Sequence, residues 1–138
     1  MRKLVIYTLL FFCQVIMAQS ASEAEYLFNS KQYVKAKTMY EALLKKKPND
    51  ALNNYRLARC CYELNQYEDA VKYFERSGNR YTLKDLYLGE AYFHTYRFDL
   101  SVTAYQTFIA TLPPADERLE ELNLKLKKSE LAARLLNR

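Results

Sequence analysis

An internal repeat of about 34 residues constrains this chain more than any other feature of its sequence. An aromatic, a small and a second aromatic residue recur in phase at Tyr33, Ala36 and Tyr40, at Tyr67, Ala70 and Phe74, and at Phe98, Ser101 and Tyr105. The offset is 34 residues between the first two copies and 31 between the last two. Such a period is typical of arrays whose units bury their apolar faces only by stacking on one another.

Each unit contains two stretches with apolar residues at helical spacing. In the second unit, one stripe consists of Leu57, Ala58, Cys61 and Leu64, and the other of Ala70, Val71 and Phe74. Only two glycines and three prolines occur among 138 residues, which favours helices over a β-sandwich. The sequence therefore predicts an all-α fold of three helix-turn-helix units over residues 20–50, 51–81 and 82–113.

Residues suited to helix ends lie at the unit boundaries. Asp50 is a good N-cap after Pro48, and Gly78 can take the left-handed conformation that ends a helix. Pro113 and Pro114 close the third unit.

The order of small, aromatic and proline residues resembles the tetratricopeptide repeat. It is carried by Ala24, Leu27, Tyr33, Ala36, Tyr40 and Pro48, by Leu57, Ala58, Tyr67, Ala70 and Phe74, and by Leu88, Gly89, Tyr92, Phe98, Tyr105 and Pro113. The resemblance covers residues 20–113 and implies a right-handed solenoid whose first helices line a concave groove for a peptide or helix of a partner. The family's carboxylate clamp is not matched, because Ala21 and Glu25 stand where its first lysine and asparagine belong. A chaperone-tail partner is therefore disfavoured.

The N-terminus has the organisation of a secretory signal peptide. Arg2 and Lys3 precede an apolar run that ends at Met17, and small residues follow. We predict a signal peptide over residues 1–18, cleaved after Ala18, and hence an exported protein of bacterial type in the periplasm or on the periplasmic face of the outer membrane. A retained anchor is the alternative, but the run is shorter than the roughly 20 residues that a spanning helix needs.

Composition and motifs argue against catalysis and against nucleic-acid binding. The formal net charge of +5 falls to +3 without Arg2 and Lys3, and the remaining basic residues are scattered. The chain has one histidine and no Gly-rich phosphate loop, zinc spacing or nucleophile elbow. We expect no enzymatic activity, cofactor, metal or small-molecule substrate, and a protein or peptide as the partner.

The adjacent cysteines Cys60 and Cys61 raise the question of a redox or metal site. Neighbouring residues of a helix point about 100° apart, so these two sulfur atoms cannot join without breaking the helix. Cys61 also occupies the buried position that Leu27 and Tyr92 hold in the other units. We predict two free thiols that pack as small apolar residues.

A second stripe on the first helices provides candidates for partner binding. It runs through Ser22, Glu25 and Asn29, through Arg56, Arg59 and Glu63, and through Tyr87, Glu90 and His94, beside an aromatic row of Phe28, Tyr62 and Phe93. Arginine and tyrosine combine contact area with directed hydrogen bonds. The predicted groove consists of Tyr55, Arg56, Arg59, Tyr62, Tyr87, Glu90, Phe93 and His94. Two alternatives stay open: the aromatic row can pack between repeats, and the charged stripe can be a solvated face.

The final segment, residues 114–138, is predicted to be a capping helix with two apolar stripes. One consists of Leu119, Leu122, Leu126, Ala133 and Leu136, and the other of Leu124, Leu131 and Leu135. The first stripe can close the end of the array, as solenoids require. The second is then left exposed and is predicted to dock a partner.

The predicted function is that of a non-enzymatic protein-interaction module of the cell envelope, in an envelope-assembly or secretion complex by family analogy. One alternative is a structural spacer or self-associating subunit that docks through the leucines of the last helix. Another is the N-terminal module of a longer envelope protein.

Overall fold

The computed structural model describes residues 6–7 and 20–136. The predicted signal peptide therefore lies outside the described residues, apart from positions 6 and 7, which are helical.

Helices follow one another through the described part of the chain. They are α1 over 20–29, α2 Tyr33–Lys46, α3 Ala51–Glu63, α4 Tyr67–Arg76, α5 Lys84–His94, α6 Phe98–Ile109 and α7 Leu119–Leu136. From α2 onward each helix packs against the next one in the chain, and α3 also contacts α5. Contacts between successive first helices and between the two helices of a unit are what a stacked array requires. The predicted all-α helical-repeat fold is confirmed.

The turn inside each unit repeats as closely as the helices do. Lys31, Asn65 and Tyr96 have φ angles of 57°, 58° and 60°, which place these non-glycine residues in the left-handed region. In the second unit, the N–H groups of Asn65 and Gln66 donate to the carbonyl oxygens of Tyr62 and Cys61 at 2.9 and 2.8 Å. This Schellman arrangement satisfies carbonyl groups at the helix end and turns the chain back sharply.

Two of the boundary residues singled out in the sequence, Asp50 and Gly78, behave as predicted. The Asp50 carboxylate accepts a hydrogen bond from the backbone N–H of Asn53 at 2.8 Å and so caps α3. Gly78 follows α4 with a φ of 74°. A residue with a Cβ atom would be strained at that position.

The core has a large part that extends from α1 to α6 and a smaller part beneath α7. Tyr40, Phe74 and Tyr105 hold equivalent repeat positions and are each at most 2% exposed. Gly89 allows the last of these rings to approach, because a Cβ atom added at Gly89 would lie 2.8 Å from the Tyr105 ring. Tyr105 belongs to the smaller part together with Phe108 and Leu122, and this cluster fixes α7 to the array.

The prediction that one apolar stripe of α7 is buried against the array is correct in the middle of the helix and wrong at its last residue, Leu136. Leu122 and Ala133 are buried, but Leu136, in the last turn of α7, is 68% exposed and lines an open depression with Phe98 and Leu100 of α6. Ser129, which the apolar pattern omits, is fully buried. Its Oγ lies 2.9 Å from Oγ of Ser101, which donates to the carbonyl oxygen of Gly89 at 2.7 Å.

None of the helices in the described part is long and apolar enough to cross a membrane.

Candidate partner-binding face

Successive first helices are connected by side chains on one face, which we call the first-helix face. It consists of Glu25 on α1, Arg56, Arg59 and Tyr62 on α3, Tyr87, Glu90, Phe93 and His94 on α5, and Lys125 on α7.

An ion pair connects α1 to α3. The Arg56 guanidinium donates to one oxygen of the Glu25 carboxylate, while the Tyr40 phenol donates to the other at 3.0 Å. The same guanidinium lies 4.9 Å from the centre of the Phe28 ring. Burial, and then the neighbouring Glu25 charge, raise the pKa of Tyr40, so this phenol stays a donor at neutral pH.

A cation–π contact connects α3 to α5. The Arg59 guanidinium lies 3.8 Å from the centre of the Tyr87 ring and also donates to Glu63 at 3.0 Å. The Tyr62 ring meets Tyr87 edge-on with centroids 4.9 Å apart. Arginine stacked on an aromatic ring keeps its charge while its planar face is desolvated, which strengthens the attraction.

A hydrogen-bonded ion pair connects α5 to α7. The Glu90 carboxylate accepts from the Tyr105 phenol at 3.2 Å and from the Lys125 ammonium at 2.9 Å. Burial, the largest single effect, lowers the pKa of Lys125, but the hydrogen bonds and charges of Glu90 and Glu121 together outweigh it and the pKa is raised. Lys125 therefore stays charged on the first-helix face.

The connections at the two ends of the array follow one pattern, and the middle unit departs from it. Glu25 with Tyr40 and Glu90 with Tyr105 are equivalent pairs, and the two carboxylates reach cations on α3 and α7, respectively. The middle unit has Arg59 and Phe74 at these two positions. As a result, two arginines lie side by side in the centre of the face and carboxylates lie on both sides.

The structure shows what the aromatic row contacts. Each of its rings packs against the aromatic residue that begins the second helix of its own unit: Phe28 on Tyr33, Tyr62 on Tyr67 and Phe93 on Phe98, with centroids 5.6, 6.0 and 5.3 Å apart. Phe28 is buried, whereas Tyr62 and Phe93 are half-buried and so remain partly open to solvent. The row thus contributes to packing and to the surface.

Tyr55 is the predicted groove residue that the structure places elsewhere. Its ring stacks on Tyr81 at 4.2 Å and meets the edge of Phe74 at 5.9 Å, and the residue is only 8% exposed. Tyr81 lies in the connection between α4 and α5, where helical periodicity gives no information. We therefore assign Tyr55 to the core.

His94 is the most exposed of the predicted groove residues. Its side chain is 42% exposed, stacks on Tyr67 with centroids 4.2 Å apart, and lies 3.7 Å from Glu90. Tyr67 belongs to the second helix of the preceding unit and was not among the predicted site residues. Its aromatic character at the start of α4 is the sequence signal that could have found it.

Lys125 is the other residue that the sequence reasoning missed. The predicted groove stopped at α5, but the bond from Lys125 to Glu90 extends the face onto α7. A basic residue on the capping helix was the available signal, although charge alone does not show which carboxylate it meets.

The two central arginines retain donor capacity. Each makes an ion pair through an Nη atom, while the buried Nε atoms of Arg56 and Arg59 have no hydrogen-bond partner within the described residues. A buried donor without an acceptor costs about 1–3 kcal/mol. This cost falls if a partner's acceptor or an ordered water reaches the guanidinium plane.

Cys60 and Cys61 lie in the core of the middle unit. Both are fully buried and are free thiols, and burial raises each pKa to about 12. They are therefore protonated at neutral pH, when a thiol is a poor nucleophile and a poor metal ligand. Among residues 20–136, no group of histidine, cysteine, aspartate and glutamate side chains could hold a metal ion.

The second predicted site, on α7, is open to solvent. Leu124, Leu131 and Leu135 are 55%, 53% and 61% exposed.

One comparison with known proteins is informative. A family model described as Tetratricopeptide repeat matches residues 27–83, which include the end of α1, all of α2, α3 and α4, and the connection to α5. No curated protein matches the chain.

Proposed function

We propose that the chain binds a peptide or helix of a protein partner across the first-helix face. Residues 27–83 match the tetratricopeptide repeat, and units of this type generally serve protein–protein interaction. We further propose that it does so as an exported protein of the bacterial cell envelope, within an assembly or secretion complex. Its action is docking, and the face described above supplies the contacts.

The observation that supports this most is the arginine–tyrosine cluster in the middle of the face. Arg56, Arg59, Tyr62 and Tyr87 lie together on α3 and α5, all partly open to solvent. Arginine and tyrosine are enriched among the residues that dominate binding energy at protein interfaces. Their mutual packing also holds the side chains in place before binding, which lowers the entropy that association costs.

The charges on this face restrict which partner can bind more than they increase the affinity. Carboxylates lie around the central arginines: Glu25 on α1, Glu63 on α3 and Glu90 on α5. A uniformly acidic segment is therefore repelled at the edges of the face. The partner that fits best has an acceptor for the guanidinium groups and apolar side chains for the tyrosine edges.

The proposal of export depends on the N-terminal sequence. Arg2 and Lys3, the apolar run and the small residues that follow have the order of a secretory signal. Mass spectrometry of the protein recovered separately from the envelope and from the cytoplasm of its own cells tests this directly. A mature chain that begins shortly after Ala18 supports export, and an intact chain beginning at Met1 in the cytoplasm contradicts it.

The binding proposal is tested with a double variant of the face and a matched control. Arg59→Ala with Tyr62→Ala removes one cation and one tyrosine from α3. Lys72→Ala with Tyr73→Ala removes the same kinds of side chain from α4, where the Lys72 ammonium lies 5.2 Å from the Tyr73 ring centre. The wild type and both variants are used to capture proteins from the envelope fraction, after circular dichroism has shown that all three are folded.

We expect a partner that the wild type and the α4 control retain and that the face variant binds at least about 10-fold more weakly, which corresponds to 1.4 kcal/mol. If the folded face variant retains every partner that the wild type binds, the face is not the binding site. If the two double variants lose the same partner equally, the effect is a general one of stability.

A further inference from the structure

A cleft of about 320 Å³ lies between the C-terminal halves of α2 and α4. Its floor consists of Asn54 and Leu57 of α3, both 0% exposed, and of Leu44 of α2, which is also buried. On α3, Asn54 and Leu57 point away from Arg56 and Arg59, because successive residues of an α-helix are about 100° apart. The cleft is therefore separate from the first-helix face. Small-molecule sites in proteins start at about 300 Å³, so the cleft has room for a small ligand.

A buried amide on the floor of the cleft lacks a hydrogen-bond donor. Both N–H groups of the Asn54 side chain are used, since Nδ2 donates to the carbonyl oxygens of Pro48 and Asp50, each at 2.9 Å. These two acceptors fix the orientation of the amide, and its Oδ1 atom is left buried with no donor among the described residues. A buried acceptor without a partner costs stability, and this cost falls when a bound group donates to it. The ligand is therefore expected to carry an N–H group.

Charges of both signs lie on the rim of the cleft. Lys45 of α2 and Arg76 of α4 are exposed, and neither forms an ion pair or a hydrogen bond within the described residues. Glu41 of α2 lies on the same rim, with the Lys37 ammonium 3.8 Å away. The Tyr73 phenol, which has no hydrogen-bond partner in residues 20–136, stays protonated at neutral pH because partial burial raises its pKa. Two cations, a phenolic donor and a carboxylate thus surround an apolar floor.

The two cations have an alternative explanation, which does not extend to the buried amide. Lysine and arginine are favourable near the C-terminal end of a helix, because they offset the helix dipole. This accounts for Lys45 and for Arg76 separately. It does not account for the Oδ1 atom of Asn54, which lies on another helix and needs a donor. The amide and the rim charges are therefore independent observations on the same cleft.

We propose that the cleft binds a free α-amino acid with an apolar side chain. The carboxylate of the ligand pairs with Arg76 and Lys45, and its ammonium donates to Oδ1 of Asn54 beside Glu41. Its side chain packs against the apolar floor. An anion without an N–H group would be repelled by Glu41 and would leave Oδ1 unsatisfied, whereas a cation without a carboxylate would face two like charges. A zwitterion avoids both costs.

Binding in this cleft is expected to be weak. The cleft is open to solvent and an amino acid offers few atoms, so we expect a dissociation constant on the order of 1 mM. Because Asn54 is 0% exposed, the ammonium reaches Oδ1 after a rim side chain such as that of Lys45 has moved aside, and exposed side chains make such moves within nanoseconds. The sequence did not predict a small-molecule ligand, because the cleft is assembled from three helices and has no motif of its own.

NMR titration of the isotope-labelled full chain with L-leucine measures this binding, with the side-chain amide signals of Asn54 as the reporter. We expect these signals to shift and to saturate with a dissociation constant on the order of 1 mM. Arg76→Gln removes a partner of the ligand carboxylate and is expected to weaken binding at least about 5-fold. Arg80→Gln is the matched control, because Arg80 is an exposed arginine of the next connection that does not line the cleft. It is expected to bind L-leucine as the wild type does.

Three other ligands test which chemical groups are recognised. N-acetyl-L-leucine lacks the ammonium, L-leucinamide lacks the carboxylate, and glycine lacks the apolar side chain. Each is expected to bind at least about 5-fold more weakly than L-leucine. Glu41→Gln is expected to weaken the binding of L-leucine but not that of N-acetyl-L-leucine, which has no positive charge for Glu41 to attract.

The proposal is overturned if L-leucine produces no saturable shift up to about 50 mM, in which case an ordered water satisfies Oδ1 of Asn54. It is also overturned if Arg76→Gln binds L-leucine as tightly as Arg80→Gln does. Equal affinity for N-acetyl-L-leucine would contradict the role of the ammonium and would assign the cleft to the C-terminal residue of a peptide. These outcomes are independent of the first-helix face, which is tested with variants of Arg59 and Tyr62.

Discussion

A single repeated position sets how closely the two helices of each unit approach. Tyr40, Phe74 and Tyr105 fill it with rings that are almost completely buried. In the third unit the ring lies so close to α5 that the backbone there has space for a glycine only, at Gly89. The size of one residue on the first helix therefore has to match a ring on the second.

We predict that Gly89→Ala destabilises the protein, although alanine is the better helix former. The new Cβ atom would lie 2.8 Å from the Tyr105 ring, and this overpacking costs about 1–3 kcal/mol, against a gain of about 1 kcal/mol in helix propensity. Chemical denaturation is expected to show a net loss of up to about 2 kcal/mol in the free energy of unfolding.

Tyr105→Leu supplies the control for that prediction. If the ring is the cause, Gly89→Ala costs clearly less in the Tyr105→Leu background than in the wild type. An equal cost in both backgrounds would place the strain elsewhere.

Residue-level prediction from the sequence succeeded where helical spacing was sufficient. The buried position of Cys61 followed from its place in the repeat, and the exposure of Leu124 and Leu131 followed from the second apolar stripe of the last helix. Tyr55 could not be placed in this way, because the ring that covers it comes from a connection whose path the sequence does not define.

At the scale of the element, the contact between α6 and α7 depends on a polar pair in an apolar setting. Ser101 and Ser129 are both fully buried, and their hydroxyl groups satisfy each other while Ser101 also bonds to Gly89. An apolar stripe does not predict such a pair, because serine is counted as a surface residue in the pattern. Small polar side chains nevertheless let two helices approach as closely as alanine does.

We predict that Ser129→Leu loosens α7 from the array. The larger side chain does not fit against Ser101, and overpacking of this kind costs about 1–3 kcal/mol. Hydrogen exchange is expected to become about 10-fold faster or more in residues 119–136, with little change in α2, α3 and α4.

Ser129→Ala is the matched control, since it removes the hydroxyl group without adding volume. Its expected cost is about 1 kcal/mol, so exchange in α7 should accelerate clearly less than in Ser129→Leu. Equal acceleration of exchange by both substitutions would mean that the hydrogen bond, and not the space, holds the helix.

At the scale of the whole molecule, the sequence predicted the architecture better than the site. Periodicity, small residues and turn residues were enough to predict an all-α helical-repeat fold. The connections of the first-helix face were not predictable, because each depends on two side chains from different units meeting after the helices have packed. The pair of Glu90 and Lys125 is the clearest case, since the residues are 35 positions apart.

The buried tyrosines are predicted to make the folded protein less stable in alkali. Burial and neighbouring carboxylates raise the pKa of Tyr40 and Tyr105 in the folded protein, and burial raises that of Tyr62 to about 12. Unfolded tyrosine ionises near 10.0, so above that pH the unfolded chain releases protons that the folded protein retains. The contribution of these tyrosines to the free energy of unfolding is therefore expected to be constant below about pH 10. It should fall by at least about 2 kcal/mol as the pH rises to about 12.

Denaturation followed by circular dichroism across this pH range checks the prediction, with tyrosinate absorbance as a second signal. Tyr105→Phe should be less stable at neutral pH but lose stability less steeply in alkali, because one retained proton has been removed. Ionisation of every tyrosine near pH 10 in the folded protein would contradict the assignment.

The left-handed residues in the turns have a consequence for how this protein could change over time. Lys31, Asn65 and Tyr96 each hold a conformation that glycine adopts at lower cost. None of the three is itself a residue of the first-helix face, which Asn65 and Tyr96 contact through backbone hydrogen bonds. A substitution at one of these turns can therefore change the stability of a single unit. It does so without changing a side chain of the recognition surface.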